Sequence, residues 1–228
     1  MGSIADNLQA VKSRIAQAER AAGRNPGAVA LLAVSKTHAP ELIREARAAG
    51  QRAFGENYVQ EALDKMARLA ELDLEWHLVG PLQSNKTRVV AERFHWVHTL
   101  EREKTARRLA EQRPAGMAAL NVLVQVNASG EASKSGVAPA EVPALVAAVA
   151  ALPNLRLRGL MAIPEPGAPR ARFDEIDALY ERLRGKFGLD TLSLGMSDDM
   201  EAAIAAGSTL VRIGTAIFGA RRKVRDAA

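Results

Sequence analysis

The chain has 228 residues, 48% hydrophobic and 25% charged, a balance that suits one water-soluble domain, or two small ones, with a sizeable core. A net charge of +5 raises nucleic-acid binding, but the basic residues are mostly arginines interleaved with Glu and Asp along helices, and aromatics at 4% are too few for a stacking surface. Cysteine is absent, which excludes disulfides and thiolate chemistry, and no apolar run approaches the roughly 18 residues of a membrane span.

Residues 3–22 read as an amphipathic helix that carries acids. It has neither the apolar h-region nor the small-residue cleavage site of a signal peptide, so a cytoplasmic location is expected. Strand-like runs follow at 29–35, 52–54, 74–79, 95–99, 119–126, 155–162, 191–194 and 209–213. Helical patterns separate them at 40–49, 58–69, 84–93, 101–112, 139–151, 168–187 and 198–206, with a short helical turn after the last strand. Gly50 is placed to end the first of these helices as the glycine just past its cap. Strict alternation argues for a parallel sheet, and eight strand–helix units in a chain this long argue for a closed (β/α)8 TIM barrel with an extra N-terminal helix. An open doubly wound sheet is the alternative, but the first strand is not followed by G-x-G-x-x-G. No composition shift splits the chain, so 1–228 is read as one domain, with the barrel at about 29–220 and a basic tail at 221–228.

Lys36 is the first residue out of character. It closes the apolar run ALLAVSK at 30–36 and precedes a turn. A partly desolvated lysine there has a depressed pKa and a usable nucleophilic amine, as Schiff-base chemistry requires; a strand-end lysine reaching out to water is the plain alternative. Small and polar residues gather at the C-terminal ends of the strands: Ser35 to Thr37, Gly55 to Asn57, His77 with Gly80 to Lys86, Asn127, Gly195 to Ser197, and Gly214 with Thr215, with Met161 on strand six. In a barrel these converge on one mouth, where active sites of this fold lie. Ser197 and the Gly214–Thr215 pair sit in the loops after strands seven and eight, each before a helix, and so form a candidate anion cradle; two ordinary N-caps are the alternative. Arg212 is a charge in the otherwise apolar strand LVRI, and needs a buried acid or carbonyl as partner. His95 and His98 are spaced to face opposite sides of a strand, His38 and His77 stand isolated in the sequence, and no metal site or nucleophile elbow is read.

Six blocks then carry a resemblance: AVSKTH at 33–38, FGENYVQE at 54–61, WHLVGPLQSNK at 76–86, LMAIP at 160–164, SLGMSDDMEAAIAAGST at 193–209 and VRIGTAIFGAR at 211–221. In this order, over almost the whole chain, they resemble the pyridoxal phosphate homeostasis protein family. The resemblance implies a single barrel similar to the N-terminal domain of bacterial alanine racemase and of eukaryotic ornithine decarboxylase. It implies pyridoxal 5′-phosphate held as a Schiff base on Lys36, its phosphate on Ser197, Gly214 and Thr215, Arg212 facing the pyridine nitrogen, and Asn57 and Met161 near the ring. The stretch NASGEASKSG at 127–136 matches as well and places Lys134 near the mouth as a secondary contact. Family members are thought to carry or buffer the cofactor and to influence vitamin B6 and amino-acid pools.

A permanent cation at Arg212 disfavours protonation of a facing pyridine nitrogen and makes the ring a poorer electron sink. Racemisation also needs a second acid or base, and the two tyrosines, Tyr58 and Tyr180, are placed beside a loop and inside a helix. The expectation is therefore a monomeric cofactor carrier serving apo-enzymes, with no nucleic-acid or membrane partner and little turnover. A weak racemase, a Schiff-base aldolase using Lys36 and a nucleic-acid module are the competing readings.

Overall fold

The structure is a computed structural model that describes residues 2–129 and 135–220. Eight strands carry the β-branched and aliphatic runs: β1 Ala30–Val34, β2 Ala53–Glu56, β3 Glu75–Leu78, β4 Trp96–Leu100, β5 Leu120–Val126, β6 Leu155–Ala162, β7 Thr191–Ser193 and β8 Leu210–Ile213. They pair in sequence order into a closed barrel, and β8 returns to β1 in parallel with Leu32 beside Arg212. Closure leaves no sheet edge and sends the strands' C-terminal ends to one rim.

The helices are α1 Ile4–Ala21, α2 Pro40–Ala48, α3 Val59–Arg68, α4 Thr87–Arg93, α5 Glu103–Gln112, α6 Val142–Ala150, α7 Arg170–Phe187, α8 Met200–Ala205 and α9 Thr215–Phe218. The first is the extra N-terminal helix. A capping box between Ser3 and Asp6 starts it, and Ile4, Leu8, Val11 and Ile15 at three- and four-residue spacing bury its inner face. Gly50 takes the left-handed conformation (φ 89°) just past the Ala49 cap of α2, as expected. No helix among the described residues is long and apolar enough to cross a membrane.

The structure shifts some boundaries, and three of the shifts matter. β2 runs on to Glu56, so Gly55 and Glu56 belong to the strand and not to the loop after it. His77, grouped with the residues at the end of its strand, lies within β3, one residue before its last. α8 begins at Met200 because the Asp199 side chain accepts the Met196 backbone N–H at 2.5 Å and closes a turn, which leaves Ser197 and Asp198 outside the helix. The expected helix at 84–93 opens as a 3-10 turn, Ser84–Lys86. Lys134 and the basic run at 221–225 lie outside the described residues.

Candidate functional site

Of the seven residues singled out in the sequence, six line one cavity of about 260 Å³ at the barrel mouth: Lys36, Asn57, Ser197, Arg212, Gly214 and Thr215. The apolar part of its wall comes from Val34, Val79, Ile163 and Met196. Met161 is absent from that wall. It is fully buried within β6, two residues before Ile163, and packed with Trp96 and Leu123.

Lys36 is half-buried in the turn after β1. The next residue, Thr37, has φ 64°, a left-handed conformation that a β-branched side chain rarely adopts. Its backbone N–H is held by Glu61 Oε1 at 2.6 Å. Below the turn lies a charged group that the sequence reading missed. Lys65, with 4% of its side chain exposed, donates to Ser35 O at 2.7 Å, Glu56 Oε1 at 2.7 Å and Glu61 Oε1 at 2.6 Å. All three ammonium donors are thus used. Ser35 Oγ donates to the same Glu56 oxygen at 2.6 Å. Burial pushes the Glu56 carboxyl above its ordinary value, and the Lys65 ammonium pulls it part of the way back. Two signals in the sequence pointed here: Glu61 and Lys65 are four apart on α3, and Lys65 adjoins the inward-facing Met66.

Arg212 is 5% exposed, and its partners are neutral oxygens, not an acid. Nη1 donates to Ser193 O at 2.7 Å and Ser193 Oγ at 2.8 Å, and Nη2 donates to Ala162 O at 2.9 Å. Burial lowers its pKa to about 10, so it remains a cation at neutral pH. The fork is thereby fixed at the cavity wall, and among the described residues no carboxylate hydrogen-bonds to it.

The loops after β7 and β8 are tied down by the extra helix. Arg14 Nη2 on α1 donates to Ser197 O at 3.3 Å, and Asn7 Nδ2 donates to Ile217 O at 2.9 Å. The mouth also depends on a close approach between loops. A Cβ on Gly80 would lie 2.1 Å from Asn57 O, so only glycine lets the loop after β3 pass the backbone of Asn57. A Cβ on Gly214 would lie 3.0 Å from Val34 O, so glycine also keeps that loop close to β1.

His38 lines the cavity and packs against Phe218, ring centroids 5.2 Å apart. His77, isolated in the sequence, is not isolated in space: pairing of β3 with β4 puts its Nδ1 at 2.9 Å from His98 Nε2, and its Nε2 lies 2.8 Å from Glu75 Oε1 on its own strand. His95 points elsewhere and accepts the Trp76 backbone N–H at 3.0 Å. No group of three or more His, Asp or Glu able to hold a metal ion occurs among the described residues.

The donor set suits a small aldehyde that bears a phosphate. One amine, one fixed guanidinium, the two hydroxyl residues Ser197 and Thr215 and the loops after β7 and β8 face a single space, and phosphate binding in this fold commonly uses those two loops. Comparison with known proteins agrees with this geometry. A family profile described as "Alanine racemase, N-terminal domain" matches residues 7–222. The pyridoxal phosphate homeostasis protein of Pseudomonas aeruginosa is 62% identical over 226 residues, 97% of each chain. Among solved structures, PipY of Synechococcus elongatus, determined with PLP bound, is 37% identical with a TM-score of 0.82, over 95% of this chain and all (100%) of that one. Alanine racemase of Corynebacterium glutamicum shares the fold at 20% identity and a TM-score of 0.70, over 96% of this chain and 61% of that one.

Proposed function

The chain belongs to the pyridoxal phosphate homeostasis protein family, within the wider family of the alanine racemase N-terminal domain, and we propose that it holds pyridoxal 5′-phosphate as a Schiff base on Lys36 and serves intracellular vitamin B6 and amino-acid homeostasis without substantial turnover. The observation that carries this reading is the convergence of Lys36, Arg212, Ser197, Gly214 and Thr215 on one cavity. Lys36 supplies the amine for the aldehyde. Ser197 and the loop at Gly214 and Thr215 take the phosphate, Arg212 faces the ring nitrogen, and Asn57 borders the ring. When bound, this cofactor supplies an electron sink for carbanion chemistry.

Arg212 works against that chemistry. It stays cationic, so it keeps a proton off the ring nitrogen beside it and weakens the sink. Neither tyrosine lines the cavity: Tyr58 is 58% exposed, and Tyr180 is 2% exposed within the cluster around α7, its hydroxyl pushed up to about 12 by burial. His38 is the imidazole on the wall, and it is the observation that favours the second reading, a weak amino-acid racemase. The chain acts as a monomer and passes cofactor to apo-enzymes that require it.

The test is the visible absorption of the purified chain after incubation with pyridoxal 5′-phosphate and removal of unbound cofactor, compared with Lys36→Ala, together with an amino-acid racemisation assay. Colour in the parent and none in the variant is expected, with racemisation far below the roughly 1–10³ s⁻¹ of ordinary enzymes. Equal colour in both proteins would overturn the Lys36 assignment. Turnover in that ordinary range would overturn the carrier reading.

A further inference from the structure

A file of polar side chains runs through the barrel interior, from its floor to the cavity wall. Glu75 stands at the start of β3, with 46% of its side chain exposed. From its Oε1 the contacts go to His77 Nε2 at 2.8 Å, from His77 Nδ1 to His98 Nε2 at 2.9 Å, and from His98 Nδ1 to Ser193 Oγ at 3.1 Å. Ser193 Oγ in turn accepts from Arg212 Nη1 at 2.8 Å. His77, His98 and Ser193 are all buried to 1% exposure or less, where a polar atom left without a partner is costly. The order acid, imidazole, serine resembles a hydrolytic relay, but Ser193 has no exposed surface and does not line the mouth cavity.

Donor and acceptor bookkeeping leaves one direction. A guanidinium has no acceptor, so Ser193 Oγ must accept from Arg212. That leaves Ser193 Oγ a second lone pair as well as its proton, so the direction is set from the other end: with neutral rings and an ionised Glu75, the carboxylate takes the His77 Nε2 proton, and the serine proton goes to a bare His98 Nδ1. His98 carries its proton on Nε2 and gives it to a bare His77 Nδ1, and the His77 Nε2 proton goes to the Glu75 carboxylate. The reverse direction would set a bare His77 Nε2 against that carboxylate. Burial favours neutral rings at both histidines, and the bond from His77 holds the Glu75 carboxyl below its ordinary value.

We infer that His77 and His98 are positioning residues: with Ser193 and Glu75 they form a one-way hydrogen-bond chain that links the barrel floor to Arg212 and fixes its guanidinium at the cavity wall. The chain follows from the geometry together with neutral rings at both histidines and an ionised Glu75; its effect on cofactor binding rests on the proposed function. The stacking of Trp96 on His77, centroids 5.1 Å apart and 8° from parallel, holds the middle of the chain in plane.

Two measurements test it. Nitrogen-15 NMR of histidine-labelled full-length protein without added cofactor, near neutral pH, should show His77 and His98 neutral with the proton on Nε2; a proton on Nδ1 of either, or a charged ring, overturns the inference. Titration with pyridoxal 5′-phosphate then compares His98→Asn, whose amide oxygen can replace Nδ1 toward Ser193, with His98→Gln, whose amide can replace Nε2 toward His77. With both variants folded by circular dichroism, the Asn variant should bind within about 3-fold of the parent and the Gln variant roughly 10-fold more weakly, the scale of a hydrogen bond to a charged group. Equal affinities for the two variants overturn the inference. A parent chain that binds no pyridoxal 5′-phosphate refutes the proposed function instead, and the NMR result alone then judges the chain.

Discussion

Replacing Lys65 with methionine removes the buried cation beneath the Lys36 turn while keeping an unbranched stem of similar size. Glu56, whose side chain is 0% exposed, then keeps its charge with Ser35 Oγ as its remaining donor. Ser35 O loses the Lys65 donor as well. Breaking one side of a buried ion pair costs about 3–5 kcal/mol. At about 2–4 °C per kcal/mol for a chain of this size, Tm should fall by about 6–20 °C. The loss should also depend on pH. Burial already raises the Glu56 carboxyl above 4.5, and losing Lys65 raises it further. A carboxyl raised in the folded state binds its proton more tightly folded than unfolded, so its contribution to stability is present below the unfolded value and is lost as pH rises. The deficit of Lys65→Met relative to the parent should therefore narrow as pH falls from neutral toward 4.5. Adding Glu56→Gln removes the orphaned charge and should restore about half of the loss. Thermal and denaturant unfolding by circular dichroism measure both effects. A loss below about 1 kcal/mol at neutral pH, typical of a surface pair, or a deficit that widens on acidification, would refute the reasoning.

Three further outcomes follow from the same geometry. Burial holds His77 and His98 below 6.5, so the unfolded chain takes up protons first as pH drops; stability should fall below that value by up to about 1.4 kcal/mol per pH unit per histidine, read from denaturant melts between neutral and mildly acid pH. Gly80→Ala places a Cβ 2.1 Å from Asn57 O and should cost roughly 1–3 kcal/mol of stability, with a displaced Asn57 in a crystal structure of the variant. Ser197→Ala should weaken pyridoxal 5′-phosphate binding by about 2–12-fold, the range of one neutral hydrogen bond, in a fluorescence titration; unchanged affinity would remove Ser197 from the phosphate site.

The barrel was legible because its signals are local. Apolar runs, glycine stops and polar strand ends alternate along the chain, and alternation alone implies parallel pairing. Six of the seven candidate residues were legible for the same reason, since each sits at or beside the C-terminal end of a strand. What stayed hidden depends on contacts between strands distant in sequence. His98 and Ser193 are 95 residues apart, and nothing in either segment announces the other. Arg212 announced the need for an acid or a carbonyl, and carbonyls meet it, but nothing in its strand announced the Ser193 hydroxyl. Met161 lies within β6 and Ile163 just past its end, and that difference of two residues decides that Ile163 lines the cavity and Met161 does not. The start of α8 was misplaced because Asp198 and Asp199 both look like first-turn acids, whereas the Asp199 side chain is used to close the turn before it.

The most direct test of the central claim is to load the chain with pyridoxal 5′-phosphate, reduce it with borohydride and map the modified peptide by mass spectrometry. The account predicts the added mass on the peptide that contains Lys36, in one-to-one ratio, and its loss from that peptide in Lys36→Ala. The added mass on a different lysine, or spread across several surface lysines with Lys36 unmodified, would contradict it.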